Sequence, residues 1–170
     1  MADKQAKIQG IEDIIEHTFQ DRELLWEALQ APGSNELYPT GNRTMAVVGD
    51  TVLKLVLLED LKATGATPGT MFRRKTEMLA DITDCLLGII SNAVSRIGSN
   101  SNLDQCGRMN GLEHFINKNP SQGNNVSPVT MTATVEAILA AVYYDSGRTT
   151  DNVRTVMDTL GLWPEVNKGI

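Results

Sequence analysis

The stretch NRTMAVVGDTVLKLVLLEDL, residues 42–61, is almost continuously apolar, yet it contains an acid, Asp50, directly after Gly49. Strands seldom exceed about ten residues, so the length of this stretch favours the central helix of an all-helical domain. An uncompensated buried carboxylate costs several kcal/mol, so we expect Asp50 to be paired, hydrogen-bonded or bound to a cation. The partner of Asp50 is therefore the main functional question that the sequence poses.

Helical periodicity elsewhere supports an all-α chain of about seven helices with little strand. Besides the central stretch, it predicts helices over residues 10–19, 21–29, 71–97 (one helix or two kinked near Gly88), 106–117, 130–144 and 151–160. Clusters of Gly, Pro, Asn and Ser predict loops or turns over residues 31–41, 63–70, 98–104 and 117–128. We expect Asp21 to cap the second helix and Gly147 to end the helix over 130–144.

Composition sets the broad class of the protein. With 170 residues, of which 41% are hydrophobic, the chain is long enough for one domain with a sizeable core. The net charge of −6 argues against an indiscriminate binder of polyanions, although a local basic patch could still bind nucleic acid.

The cellular compartment is an expectation drawn from the same composition. No charge-free apolar run reaches membrane-spanning length, and the N-terminus lacks the apolar core of a secretion signal. Cys85 and Cys106 match neither a disulfide scaffold nor a zinc site, and His17 and His114 have no metal-ligand spacing. We therefore expect an intracellular protein with no membrane partner, and we favour the cytoplasm or nucleus over mitochondria.

A second apolar helix carries an acid within its apolar stretch, as the first does. Residues 130–144, TMTATVEAILAAVYY, contain Glu136 and no other charge. Facing carboxylates on adjacent helices can hold a magnesium ion, which requires oxygen ligands. Alternatively, Asp50 and Glu136 are structural and are neutralised by nearby cations or helix ends. Spacing alone favours this structural alternative.

Three segments resemble motifs of the ribonuclease III family. Residues 42–53, NRTMAVVGDTVL, and residues 132–147, TATVEAILAAVYYDSG, resemble the two signature motifs of that family. Residues 68–81, PGTMFRRKTEMLAD, resemble the segment in which a glycine turn leads into a basic helix. The order and spacing of the three also match, and the resemblance covers roughly residues 20–160.

The resemblance implies the all-α fold of the ribonuclease III endonuclease domain, which normally dimerises. We expect this domain to occupy residues 20–162, after an N-terminal helix and lead-in over 1–19 and before a tail over 163–170. The sequence ends without the double-stranded-RNA-binding domain that many family members append.

The resemblance also implies an activity, which is magnesium-dependent hydrolysis of double-stranded RNA by a cluster of four carboxylates. Asp50 and Glu136 match two of these catalytic and metal-binding positions. Ala46 and Ala133 stand where the family has the other two acids, and Arg43 replaces an additional acid near the start of the first motif. One acid is therefore missing from each helix.

Loss of half the cluster predicts weak or absent magnesium binding, because magnesium requires anionic oxygens to be retained. We therefore expect a ribonuclease III-like domain that binds or acts on double-stranded RNA and is non-catalytic or only very weakly active. One alternative is an active magnesium-dependent endoribonuclease in RNA processing, with Thr132, Thr134 or water as substitute ligands. Another alternative is a structural subunit of a ribonucleoprotein.

Two cations near the first motif raise a further hypothesis. Arg43 lies two helical turns before Asp50, and Lys54 lies one turn after it. We hypothesise that Arg43, alone or with Lys54, neutralises Asp50 and Glu136 where the family places metal. The alternative is that both cations point to solvent, as most lysines and arginines do.

Two binding surfaces are expected from the resemblance. Arg73, Arg74 and Lys75 form a basic triplet in the segment where the family contacts RNA, although such a triplet is also typical of a solvated helix face. A homodimer is expected through the helix over 45–58, where Val47 replaces the signature phenylalanine that packs into the partner. A different protein partner remains an alternative.

Overall fold

The computed structural model describes residues 2–63, 91–92, 94–123 and 125–163, and this part of the chain is helical. Its α-helices are α1 (Ala2–Ile15), α2 (Arg22–Ala28), α3 (Arg43–Ala63), α4 (Asn100–Met109), α5 (Pro128–Asp145) and α6 (Asp151–Thr159). Residues 91–92 and 94–97 are also helical, and short 3-10 helices cover Leu112–His114 and Pro120–Gln122. Two isolated β-bridges are the only strand-like pairings in the described residues. The prediction of an all-α fold is confirmed.

Helix α5 forms the centre of the domain. Between residues 131 and 142, every residue except Ala133 and Glu136 is buried. Helix α3 packs along α5, and α2, α4 and α6 surround the rest of it. An almost wholly apolar helix is stable in water only when neighbours cover all its sides, and α5 meets this condition. Its two less buried positions are the ones singled out from the sequence.

The ends of the helices follow local sequence signals. Asp21 caps α2 as predicted, because its side chain accepts a hydrogen bond from the Glu23 amide. Ser127 caps α5 in the same way, with Pro128 at the first helical position. Gly147, which follows α5, has the left-handed backbone conformation expected of it, with φ of 69°.

The N-terminal helix is longer than predicted. Periodicity placed its start at residue 10, whereas α1 begins at Ala2 and buries Ile8 together with Ile11 and Ile15. The polar residues before Ile8 are good helix formers, so the helix extends through them without any apolar periodicity. Because these isoleucines join the same core as α2 and α5, α1 is packed against the body of the domain.

The turn predicted over residues 98–104 is wrong for its second half. Helix α4 starts at Asn100, and the Ser99 side chain accepts a hydrogen bond from the Asn102 amide. Leu103 and Cys106 then face the core. Serine and asparagine are common in turns and equally common at helix starts, because their side chains satisfy free backbone amides in both settings.

The central helix predicted over residues 42–61 is confirmed as α3, but one of its faces is open to solvent. Val47, Leu55 and Leu58 are 70%, 41% and 52% exposed, whereas Leu53 and Val56 are fully buried. The near-continuous apolar sequence therefore covers both the core and a surface of the single chain. Among the described residues, no helix has the length and apolar character needed to cross a bilayer.

Part of the sequence interpretation lies outside the described residues. This applies to the loop at 64–70, to most of the helical region predicted over 71–97, to Cys85, and to the basic triplet of Arg73, Arg74 and Lys75.

Candidate functional site

The candidate site lies where α3 crosses α5, and Gly49 is the point of closest approach. A Cβ atom placed on Gly49 would lie 1.8 Å from the carbonyl oxygen of Glu136 and 2.5 Å from its carbonyl carbon. Only glycine lets the two backbones meet at this distance. Asp50 follows Gly49 directly, and its charge raises the pKa of Glu136, so the two acids lie near each other at this crossing, which we call the cleft.

A buried asparagine fixes the start of α3 beside α5. Asn42 is 1% exposed, and its side-chain amide donates to the Ala28 carbonyl at 2.8 Å and to the Thr134 hydroxyl at 3.2 Å. Its backbone amide donates to the Gln30 carbonyl. The sequence interpretation assigned no role to Asn42, although a polar residue at the start of an apolar helix is a recognisable signal for such a bond.

Glu136 is half-buried in the cleft and weakly compensated. Among the described residues its carboxylate has no hydrogen bond and no ion pair, in contrast to the other buried acids of the domain. Burial, together with repulsion from Asp50, raises its pKa from the ordinary value of 4.5 to about 7, while the charge of Lys54 lowers it. Glu136 is therefore close to half protonated at neutral pH.

Asp50 is paired with Lys54 rather than with Arg43. The ammonium nitrogen of Lys54 lies 2.6 Å from Oδ2 of Asp50, one helical turn away, and both side chains are partly exposed. Arg43 is exposed and forms no ion pair in the described part of the chain. The hypothesis is therefore confirmed only for the pair of Lys54 and Asp50. Within the described residues neither cation pairs with Glu136, and Arg43, exposed at the start of α3, pairs with neither acid.

The other positions of the family cluster offer no ligand atoms. Ala46 is 7% exposed on α3, and Ala133 lies one turn before Glu136 on α5. The hydroxyls suggested as substitutes are already used, since Thr132 donates to the Asn100 carbonyl and Thr134 donates to the Thr130 carbonyl. No group of three or more His, Cys, Asp or Glu side chains within the described residues could hold a metal ion. The donor set therefore does not fit magnesium.

The remaining residues selected from the sequence lie away from this cleft. Cys106 is a buried thiol, and burial raises its pKa. His114 is exposed, whereas His17 is half-buried with its Nε2 atom 3.1 Å from Oδ2 of Asp145. His17 therefore helps to hold the fold together instead of lying free at the surface.

The arrangement of helices is that of a known nuclease domain. Two solved structures of the nuclease domain of ribonuclease III from Campylobacter jejuni match the chain. The first has a TM-score of 0.65 at 18% sequence identity and covers 89% of this chain and 92% of that one. The second, described for structural flexibility in a region involved in dimer formation of that domain, has a TM-score of 0.63 at 21% identity and covers 90% and 94%.

Comparison of the sequence alone gives no match. No protein-family model matches the chain, and a search of curated proteins gives no match. At these identities the likeness is one of fold, and it extends over nearly the whole of both chains. The chain therefore has the all-helical fold of the ribonuclease III nuclease domain.

Proposed function

We propose that the chain is a domain of the ribonuclease III type that binds double-stranded RNA and has lost efficient strand cleavage. The observation that carries the proposal is the Lys54 ammonium, which lies 2.6 Å from Asp50 in a cleft where Ala46 and Ala133 replace two acids. Lys54, a cation of the chain itself, thus pairs with Asp50, which is one of the two remaining carboxylates.

Loss of cleavage follows from the charge of this cleft. When bound, magnesium would activate a water molecule and stabilise the leaving oxygen, and both effects require firm placement of the ion. In this chain Asp50 is neutralised by Lys54, and Glu136, with a pKa of about 7, carries only part of a negative charge. Such a pair attracts a divalent cation far less than four ionised carboxylates would.

Support for RNA as the ligand comes from the fold and from the sequence. The solved structures of the same fold belong to a ribonuclease, and a domain that keeps the fold can keep the binding surface after the chemistry is lost. The triplet of Arg73, Arg74 and Lys75 falls in the segment that resembles the RNA-contacting part of the family. Phosphate contacts from these residues would be independent of base sequence.

Support for a homodimer comes from the open face of α3. Val47, Leu55 and Leu58 lie eight and three residues apart, which places them on one side of the helix, and all three are exposed. An apolar stripe of this kind on a soluble domain usually marks an interface. The matched domain of Campylobacter jejuni has a region involved in dimer formation, and we propose that α3 serves this purpose here.

The RNA-binding half is tested by fluorescence anisotropy with a labelled RNA duplex in EDTA, over a range of salt concentrations. We expect measurable affinity that falls steeply with salt, because the contacts are to phosphates. The variant Arg73→Gln/Arg74→Gln/Lys75→Gln is expected to lose affinity by about tenfold or more and to reduce the salt slope by up to about three.

The matched control removes the same charge from other exposed positions, as Arg43→Gln/Arg96→Gln/Arg148→Gln. It is expected to weaken binding much less than the triplet variant. No binding by the parent chain, or an equal loss in both variants, would contradict the assignment of RNA binding to residues 73–75.

The cleavage half is tested by incubating the parent chain with duplex RNA in magnesium. We expect no turnover above a buffer control, and we expect a gain on introducing Ala46→Glu together with Ala133→Asp, which restores the ligand count. Cleavage by the parent that disappears on Asp50→Asn would show that the reduced cleft is still a working active site.

The dimer is tested by light scattering after size-exclusion chromatography. Leu58→Glu places a charge in the proposed interface and is expected to give a monomer, since a buried unpaired charge opposes association. Leu37→Glu is the matched control, because Leu37 is 83% exposed on the loop between α2 and α3. Dissociation by both variants, or by neither, would argue against an interface centred on α3.

A further inference from the structure

We infer that Lys54 is a built-in counter-ion of the acid cleft, whose ammonium group takes the place of a divalent cation and keeps such cations out. The inference rests on the proposed function, because it concerns the same cleft. It goes further by assigning a role to a side chain outside the ligand positions themselves.

The position of Lys54 relative to both acids supports this role. Its ammonium nitrogen is 2.6 Å from Asp50, which is a charge-assisted hydrogen bond of ordinary length. The Lys54 charge also acts on Glu136, whose pKa it lowers, so it reaches an acid on a different helix. One cation therefore acts on both carboxylates, which belong to helices whose backbones touch where Gly49 meets Glu136.

A surface ion pair elsewhere in the chain shows what distinguishes this one. Arg108 pairs with Asp104 at 2.9 Å on α4, with the same spacing of four residues. That pair has two partners from one helix, as is common on helix surfaces, and such pairs contribute little. The Lys54 pair adds a third group, the half-buried Glu136 from α5, which in the described residues has no hydrogen-bond donor of its own.

Charge explains why divalent ions would be excluded. A divalent ion is retained by an excess of negative oxygen, but the charges of Asp50 and Lys54 cancel each other. To bind, the ion must displace the ammonium group or lie beside it, and both alternatives oppose binding at short range. Removing the ammonium would leave Asp50 and Glu136 facing each other without a cation, which is the arrangement that attracts one.

The test is a titration of the full chain with Mn²⁺ at pH 8, followed by the electron paramagnetic resonance signal of free Mn²⁺ and by the thermal midpoint. The parent is expected to show no saturable site and no change in midpoint. Lys54→Met is expected to gain one saturable site per chain, at least about tenfold tighter than any binding by the parent. Mn²⁺ is also expected to raise the thermal midpoint of that variant.

Three further variants sharpen the test. Lys54→Arg keeps a cation and is expected to exclude Mn²⁺ as the parent does. Lys54→Met/Glu136→Gln is expected to lose the new site, because one of its two acids is gone. Arg108→Met removes the same charge from the comparable pair on α4 and is expected to behave as the parent. Should Lys54→Met fail to fold, Lys54→Gln provides the same loss of charge with a polar side chain.

Two outcomes would overturn the inference. One is a parent chain that binds one Mn²⁺ as tightly as Lys54→Met, and the other is a Lys54→Met or Lys54→Gln variant that folds and gains no site. The proposed function is judged separately by duplex binding in EDTA, where no metal is present. Failure of RNA binding would leave the Mn²⁺ result standing, and a failed Mn²⁺ titration would leave RNA binding untouched.

Discussion

Two acids on different helices, Glu12 and Glu136, differ in how many hydrogen-bond and ion-pair partners they have. Glu12, on α1, has a side chain only 2% exposed, and it accepts hydrogen bonds from the Phe19 amide at 2.9 Å and from two nitrogens of Arg22. Glu136, on α5, has no such donors among the described residues. Glu12 is fully buried and Glu136 is half-buried, yet only Glu12 has hydrogen-bond donors that offset the cost of burying its charge.

A third acid, Asp145, has partners for its carboxylate as Glu12 does. Asp145, at the end of α5, accepts from the amides of Gln20 and Asp21 and lies beside His17, and its side chain is 3% exposed. Glu12 and Asp145 thus hold the connection between α1 and α2 against the rest of the domain. Glu136 makes no comparable hydrogen bonds within the described residues, so its burial is not offset in this way.

The largest effect is expected at the crossing that brings Glu136 and Asp50 together. Gly49→Ala would drive a methyl group into the Glu136 backbone, because the new Cβ atom would lie 1.8 Å from its carbonyl oxygen. The helices must separate, and we expect a loss of about 3 kcal/mol or more in the free energy of unfolding. Urea denaturation followed by circular dichroism measures this loss.

Thr51→Ala is the control for Gly49→Ala. Thr51 is exposed on the same helix, and its hydroxyl donates only to the Val47 carbonyl of α3 itself. We expect its stability to stay within about 0.5 kcal/mol of the parent. Equal stability of Gly49→Ala and Thr51→Ala would mean that the close approach of the helices is not required by the fold.

The next largest effect is expected at Glu12, whose two carboxylate oxygens both accept hydrogen bonds. Glu12→Gln removes the charge that faces Arg22 and puts an amide donor opposite the guanidinium donors, so we expect a loss of about 2–3 kcal/mol. Glu23→Gln is the matched control, since Glu23 pairs with Lys4 but is 64% exposed. Its cost is expected to stay below about 0.5 kcal/mol, because exposed pairs are screened by water. Similar costs for the two variants would remove the contrast between saturated and surface acids.

A smaller effect is expected on the pH dependence of stability, and it tests Glu136, the acid without hydrogen-bond partners in the described residues. The pKa of Glu136 is raised from 4.5 to about 7, so between these values the folded chain holds a proton that the unfolded chain has released. Stability is therefore complete below pH 4.5 and falls as the pH rises through 7. The loss is on the order of 1–2 kcal/mol once solvent screening of a half-exposed side chain is allowed for.

Thermal unfolding of the parent and of Glu136→Gln in EDTA, at pH 5 and pH 8, checks this expectation. The glutamine variant cannot ionise, so it is expected to match the parent near pH 5 and to be the more stable of the two at pH 8. A parent that gains stability relative to Glu136→Gln between these pH values would reverse the sign of the argument.

The fold and the position of the cleft could be predicted from the sequence. Two long apolar helices, each with an acid inside its apolar stretch, predict a helical core with a polar point on each helix. The motif resemblance then placed Ala46 and Ala133 beside the acids, and the structure shows Ala133 and Glu136 as the two less buried positions on their stretch of α5. These features depend on local sequence and helical periodicity.

The hydrogen-bond and ion-pair partners of the polar side chains could not be predicted from the sequence. Arg43 and Lys54 are both on the same face of α3 as Asp50 by helical spacing, and only side-chain direction decides that Lys54 makes the contact. Likewise, the sequence offers Thr132 and Thr134 as ligands, but both hydroxyls bond backbone carbonyls inside the core. Such choices depend on tertiary packing, which a sequence pattern does not encode.

The smallest expected effect separates the two cations by their influence on Glu136. Lys54→Met removes a charge that lowers the pKa of Glu136, so we expect this pKa to rise further above 7. Arg43 is exposed at the start of α3, and its charge is not among those that shift the pKa of Glu136. Arg43→Met is therefore expected to leave the pKa unchanged. Carboxyl ¹³C NMR titration of Glu-labelled chain, with the Glu136 signal assigned by its absence in Glu136→Gln, measures both values. If Arg43→Met shifted the pKa of Glu136 as far as Lys54→Met does, then this pKa would depend on the net charge of α3 as a whole. The distinction between Arg43 and Lys54 would then not hold.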